Sequence, residues 1–489
     1  MAGLGIVSLS AWLFTMIWGA LRKAASTRST PLCRQLVVRP FSFHRTVLAP
    51  SIPPRPRILS LLSPYKFRSF ASKPPTPPAP APLPILAPRS VGTWLMVSAT
   101  LVFGIIVVGG VTRLTESGLS ITEWRPITGI LPPLSDAEWD AEFHKYKQTP
   151  EFKMLNSSAT LDDFKFIFNM EWGHRILGRL IGVVFVGPLL YYGLRKKISP
   201  SSFARLFGLG ALIGAQGLLG WYMVQSGLDD TNLDSPGAVP RVSQYRLAAH
   251  LGIALALYAG MFGAGIAAIK DWKFAKGATW NGLDGQATAQ RVKTVLRNPA
   301  VRAFRNKSWA VTGLVFLTAL SGAFVAGLDA GLLYNEFPLM GGRLAPPADE
   351  LFSPDYAKNA DKSDLWWRNI FENPTTVQFD HRVLATTTYL STAALWIQTL
   401  RPAMRAALPP ATRIAAHAAF AMANVQVLLG ISTLLYLVPV PLAAAHQAGS
   451  VMLLSAMLHV AMSLRHPGAA ARAWRKVFAG RVGTVNVSS

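Results

Sequence analysis

The amino-acid sequence predicts an all-α integral membrane protein: eight transmembrane helices arranged as two pseudo-twofold-related four-helix bundles. Three observations predict it. Apolar runs recur at about the 20 residues a bilayer requires, the connections between them alternate in charge, and the chain contains an internal repeat. Of 489 residues, 51% are hydrophobic and only 15% charged, whereas soluble chains carry about a quarter charged residues. The formal net charge of +24 suggests a nucleic-acid partner, but the placement of the charges argues against one.

From Met1 to Thr112 the chain has many Lys and Arg but no Asp or Glu. Arg-, Ser- and Pro-rich sequence of this kind is typical of a mitochondrial transit peptide, expected over residues 1–72 with processing near RSFAS (Arg68–Ser72). The apolar run Leu4–Leu21 also suits a secretory signal or an extra span; the acid-free continuation favours a presequence. Residues 73–90 read as a Pro-rich linker, stiff and non-helical. Cys33, the only cysteine, lies in the presequence. That leaves metal chemistry to histidines and carboxylates.

Spans are expected at about 92–112, 172–194, 205–226, 246–268, 309–328, 380–400, 413–436 and 441–463. The first four form an N-terminal bundle over 91–270 and the last four a C-terminal bundle over 309–464. A basic loop at 271–308 joins them, and a basic tail covers 465–489. The stretch RKKISPSSFAR after span 2 has four basic residues and no acid, whereas residues 113–171 hold ten acids against six basic residues. The later connections keep this alternation. The positive-inside rule puts the basic loops and both mature termini on one side, the matrix if the membrane is the mitochondrial inner one. The excess charge is therefore a topology signal, and the expected partner is membrane lipid rather than nucleic acid.

The two halves repeat. HRIL in span 2 matches HRVL in span 6, AQGLLGWYM (Ala215–Met223) matches VQVLLGIST (Val425–Thr433), and RLAAHLG matches LAAAHQAG. His174 thus aligns with His381, Ala215 with Val425 and His250 with His446, at nearly constant spacing along the chain. With four spans per half, both copies have one orientation, related by an axis along the membrane normal.

Each even-numbered span enters from the acidic side with a histidine in its first turns: His174, His250, His381 and His446. A histidine near one helix end is ordinarily an interfacial residue. Four that match in span parity, depth and repeat position point instead to two metal sites, His174 with His250 and His381 with His446. Two imidazoles at one level can ligate a haem iron from both faces inside a bundle. Zinc would need a third protein ligand. His417 and His459, at the basic ends of spans 7 and 8, lack partners in the first half and are a weaker candidate for a third site.

Glu171 breaks the symmetry. It precedes His174 by three positions on one helix face, where the second half has Gln378. A carboxylate there can move a proton or stabilise positive charge, so the first site is expected to be reactive and the second to hold a redox cofactor. Arg175, Arg179 and Arg382 are candidate partners for haem propionates, or they snorkel to lipid phosphates.

From about Val91 to Leu464 the chain resembles the mitochondrial and alphaproteobacterial type of heme A synthase. The resemblance rests on GGVTRLTESGLSITEWRPITGILPPLS (Gly109–Ser135), EWGHR, AQGLLGW, LAAH, FPLMGG (Phe337–Gly342), QFDHR and AAHQ. It implies an oxidoreductase of the mitochondrial inner membrane that converts the C8 methyl of heme O to the formyl of heme A for cytochrome c oxidase. It implies His174 and His250 as substrate-haem ligands, His381 and His446 as ligands of a haem b cofactor, and Glu171 as the acid the oxidation needs. Implied partners are a ferredoxin-type carrier on the matrix side, heme O synthase and cytochrome c oxidase assembly factors, with self-association as a homo-oligomer also compatible. The cysteine pair of another bacterial type has no counterpart here.

Competing readings are a dihaem electron-transfer protein, a haem carrier, and a prenyltransferase using DDTNLD (Asp229–Asp234). All four matched histidines lie at one face, which counts against transmembrane electron transfer. The acidic motif has no repeat partner.

Overall fold

A computed structural model of the chain describes residues 82–125, 128–228, 240–283 and 288–485. The expected transit peptide and its processing region, the beginning of the Pro-rich linker, and DDTNLD lie outside the described residues. Among the described residues there are helices and no strand, as befits an all-α integral membrane protein. The long helices are α1 (Arg89–Leu114), α2 (Leu161–Leu194), α3 (Pro200–Gln225), α4 (Gln244–Ala275), α5 (Pro299–Gly327), α6 (Pro374–Leu400), α7 (Pro410–Leu435) and α8 (Val440–Ser463).

Their packing repeats. α1 packs on α2, α2 on α3, α3 on α4 and α4 on α1, closing a four-helix ring. α5, α6, α7 and α8 close the same ring in the same order. The rings meet through α1 with α8, its equivalent α4 with α5, and α4 with α8. Exchanging the halves maps the first pairing onto the second and the third onto itself, as a twofold through the α4–α8 seam requires. Tyr258 of α4 and Ser455 of α8 share a hydrogen bond of 2.6 Å across that seam. The backbone repeats too: Glu116 after α1 and Asp329 after α5 each take φ 52°.

Helix starts differ from the sequence expectation because local capping moves them outward. α2 begins at Leu161, not 172, since Thr160 and Asp163 form a capping box. The added turns carry Phe164 and Phe168 into a buried cluster with Phe143 and Tyr146 on the acidic side. His174 is therefore the fourteenth residue of α2 rather than one of its first turns. α5 and α6 likewise start early, with Pro299 and Pro374 at the first turn behind the caps Asn298 and Asn373. The expected basic loop is largely helical, with a short helix at Thr288–Arg297 ahead of α5. The basic tail forms a helix, Ala469–Val485, packed on α4.

Seven of the eight long helices are both long and apolar enough to cross a membrane. The exception is α6, which has the length but is rich in threonine. Its hydroxyls are satisfied internally: Thr392 donates to the Thr388 carbonyl at 2.8 Å, and Thr387 to that of Val383 at 2.7 Å. Thr388 and Thr392 face the interior and are buried. Polar atoms paired in this way cost little in an apolar setting, so hydropathy understates the helix.

Candidate functional site

Each of the four histidines faces a glycine on the helix before its own. A Cβ added at Gly109 of α1 would lie 3.0 Å from Cε1 of His174, and at Gly220 of α3 3.3 Å from that of His250. In the second half Gly322 of α5 would place it 3.5 Å from Cε1 of His381, and Gly430 of α7 2.8 Å from that of His446. The seats are repeat-related, Gly109 with Gly322 and Gly220 with Gly430. A hydrogen in place of a methyl group lets each ring lie against the neighbouring helix backbone. Within each half the two histidines stand on alternate helices of one closed four-helix ring.

Polar partners orient the rings differently in the two halves. Ser321 gives its one hydroxyl proton to the Thr318 carbonyl at 2.8 Å, so at 2.7 Å it accepts from Nδ1–H of His381. That leaves Nε2 of His381 with its lone pair free, as a metal ligand requires. The repeat equivalent of Ser321 is Val108, and Nδ1 of His174 is buried with no hydrogen-bond partner among the described residues. Gln216 and Gln426 are equivalent, donating to the carbonyls of His250 and His446 at 2.9 and 3.0 Å. Gln426 also reaches Nδ1 of His446 at 3.1 Å, while Nδ1 of His250 is buried and unpartnered among the described residues.

These features suit a haem in each half. The paired imidazoles would each offer a nitrogen to an iron, each ring has a cradle that a Cβ would fill, and two ring nitrogens are buried without a partner among the described residues. Among the described residues no three His, Cys, Asp or Glu converge as a metal cage. A metal held here needs further ligands of the kind a porphyrin carries.

Glu171 is buried, one helical turn before His174. Its Oε2 accepts from the Ser120 hydroxyl at 2.7 Å and the Ile121 backbone N–H at 2.8 Å. Its Oε1 accepts from Arg175, whose Nη2 is 2.7 Å away. Both oxygens are committed, so the geometry presents a fixed negative charge. Arg175 also donates to the carbonyls of Ile121 and Glu123. Glu171 and Arg175 together clamp the loop that follows α1. In the second half Gln378 donates to the Tyr334 carbonyl at 3.2 Å, and Arg382 to those of Tyr334 and Leu339. The clamp is thus repeated without the carboxylate.

The three arginines expected to meet propionates are engaged with loop backbone: Arg175 and Arg382 as above, and Arg179 with the Arg125 carbonyl at 2.8 Å. Arg382 still has a buried Nε with no partner among the described residues. Its fork therefore retains a donor for an anion.

Glu151 was not legible from the sequence. It lies in the short helix Pro150–Met154, is buried, and its Oε2 has no partner among the described residues. Burial first, then the negative charges of Glu171 and Glu116, push its carboxyl up to about 8. Beside the anchored Glu171 it is an acid that keeps its proton at neutral pH. The glycine seats did leave a sequence trace, because Gly220 and Gly430 occupy the same place in the matching stretches AQGLLGW and VQVLLGI. His417 does not join a third site with His459: it is exposed, with Nδ1 on the Arg413 carbonyl and its ring against Trp396.

A family model described as cytochrome oxidase assembly protein, COX15-CtaA, matches residues 92–458. The chain belongs to this family. It is similar to heme A synthase COX15 of Saccharomyces cerevisiae, 48% identical over 384 residues covering 78% of this chain and 77% of that protein. It is 46% identical to heme A synthase COX15 of Homo sapiens over 377 residues, 77% of this chain and 83% of that protein. A third relative, in Schizosaccharomyces pombe, is a heme A synthase-mitochondrial ferredoxin fusion protein. It is 48% identical over 393 residues, 80% of this chain and 62% of that protein.

Proposed function

We propose that the chain is a heme A synthase, an enzyme that oxidises the C8 methyl of heme O to a formyl group for cytochrome c oxidase. The observation that carries this reading is the asymmetry between otherwise repeated sites. Both halves present a seated histidine pair and an arginine loop clamp, but only the first puts a buried carboxylate, Glu171, beside its pair.

His174 and His250 hold the substrate, heme O. The conversion takes two successive oxidations at one carbon, through an alcohol and a gem-diol that loses water. Glu171 is fixed by Ser120, Ile121 and Arg175 and stabilises positive charge as it develops next to the macrocycle. Glu151, protonated at neutral pH, gives the same region a group that can exchange a proton. His381 and His446 would hold haem b, with Ser321 keeping the His381 proton on Nδ1 and Arg382 offering a donor to a propionate. Haem b supplies one-electron redox capacity when bound.

A ferredoxin-type carrier on the matrix side serves the electron flow, a reading favoured by the fusion of synthase and ferredoxin in the fission-yeast relative. The protein is a multi-pass component of the mitochondrial inner membrane, with its basic side and mature termini in the matrix. The test is to purify the full chain with its haems and identify them by extraction and mass, beside Glu171→Gln. The natural chain should yield haem b together with heme O, its alcohol or heme A. The variant should hold both haems and accumulate heme O. Haem b alone in both sites of the natural chain would overturn the reading.

A further inference from the structure

Two adjoining glycines of α1 serve different sites. Gly109 seats His174 of the first half. Gly110 meets Gln447 of α8, the residue that follows His446 of the second half. A Cβ on Gly110 would overlap Oε1 of Gln447 outright, and Nε2 of Gln447 donates to the Ile106 carbonyl of α1 at 3.1 Å. The amide therefore lies against the α1 backbone, one residue along from His446 on its own helix and one residue along from the His174 seat on the other.

The other seam between the halves lacks this contact. The repeat equivalent of Gln447 is Leu251, which has no amide, and that of Gly110 is Ala323, which has a Cβ. On that α4–α5 seam the close approach is instead Gly252 with Leu320, where a Cβ would lie 3.3 Å from the leucine methyl. The polar bridge is thus a one-sided feature of a repeated fold. Symmetric packing alone does not account for it.

We infer that Gln447 is a positioning residue that locks α8 against α1 and fixes the spacing between the two histidine pairs. The chain of contacts runs from His446 through its peptide bond to Gln447, across the amide to Gly110, through a peptide bond to Gly109 and onto the His174 ring. It joins the two sites through this chain's own residues alone. The inference rests on the reading that both pairs hold haem. With a haem held at each pair, a single electron leaving one iron would be taken up by the other.

The test uses the full-length chain purified with its haems, in a cycle of Gln447→Ala, Gly110→Ala and the two combined. The readouts are haem content per chain, the bis-histidine optical spectrum, the inter-iron distance by pulsed electron paramagnetic resonance, and the rate of electron exchange between the sites after rapid reduction. Gln447→Ala should keep both haems and their spectra while slowing exchange about 10- to 100-fold. Gly110→Ala alone should perturb the spectra and lengthen the distance, because its methyl group meets the amide. Adding Gln447→Ala should relieve that collision and restore the spectra, a coupling that independent sites would not show. Exchange at the natural rate in Gln447→Ala, or a double variant as perturbed as Gly110→Ala alone, would overturn the inference. A natural chain that binds no haem at His174 and His250 would overturn the functional reading instead.

Discussion

The glycine seats lead to a graded prediction. Carbon atoms in contact settle about 3.5–4.0 Å apart. An added Cβ would stand 2.8 Å from Cε1 of His446 at Gly430, 3.0 Å from His174 at Gly109, 3.3 Å from His250 at Gly220 and 3.5 Å from His381 at Gly322. By that measure the His446 ring must retreat by roughly 0.7 Å or more, the His174 ring by roughly 0.5 Å, the His250 ring by a few tenths, and the His381 ring by almost nothing. Retreat of the His446 ring would also stretch its 3.1 Å contact with Gln426, which lies one turn from Gly430 on the same helix. Overpacking of this kind costs about 1–3 kcal/mol, which corresponds to haem affinity weaker by roughly 5- to 150-fold. Alanine also favours a helix over glycine by about 1 kcal/mol, so the fold itself should not weaken. The assay is haem content per chain and the bis-histidine spectrum for Gly430→Ala, Gly109→Ala, Gly220→Ala and Gly322→Ala, each beside a thermal unfolding curve. Losses should fall in that order, with Gly322→Ala close to the natural chain. A Gly430→Ala protein with full haem content, or a Gly322→Ala protein as depleted as Gly430→Ala, would refute the reasoning.

Other outcomes follow from the same geometry. Glu151 is neutral when folded up to about 8, against an ordinary 4.5, so the folded chain binds the extra proton between those values and its stability falls as pH rises through that window. Glu151→Gln should flatten the fall and stabilise the protein at pH 8, by at most on the order of 5 kcal/mol; unfolding curves with unchanged pH dependence would count against the buried acid. Ser321→Ala removes the acceptor that orients His381, and should lower metal-site affinity in the second half by about 10- to 100-fold, read as loss of haem b with the substrate haem retained. Asp329 pairs with Arg113 of α1 at 2.9 Å and with Arg241 at 3.4 Å, but its side chain is 42% exposed. Asp329→Asn should therefore cost less than about 1 kcal/mol and leave haem content unchanged by extraction.

The sequence by itself determined the all-α membrane architecture and singled out the four histidines and Glu171 as candidates. Apolar runs and alternating loop charge follow from the solvent properties of a bilayer, which act on composition and so can be read without coordinates. The repeat paired His174 with His381 and His250 with His446 because a duplicated fold keeps its residues in register. The asymmetry between Glu171 and Gln378 was equally plain in one dimension.

Tertiary structure decided what each residue touches. Proximity between helices depends on how they are rotated and packed, which a single linear pattern does not encode. Hydropathy understated α6 because its threonines bond to their own helix. Helix starts shifted outward because caps such as Thr160 act locally and at short range. Glu171 reads from the sequence as either a base or a fixed charge; Ser120, Ile121 and Arg175, which commit both its oxygens, come partly from the loop that follows α1. Glu151 is an ordinary loop acid by sequence, and only its burial near Glu171 and Glu116 raises its proton affinity. The contact between Gln447 and Gly110 exists because α1 and α8, the first and last of the long helices, meet along one seam.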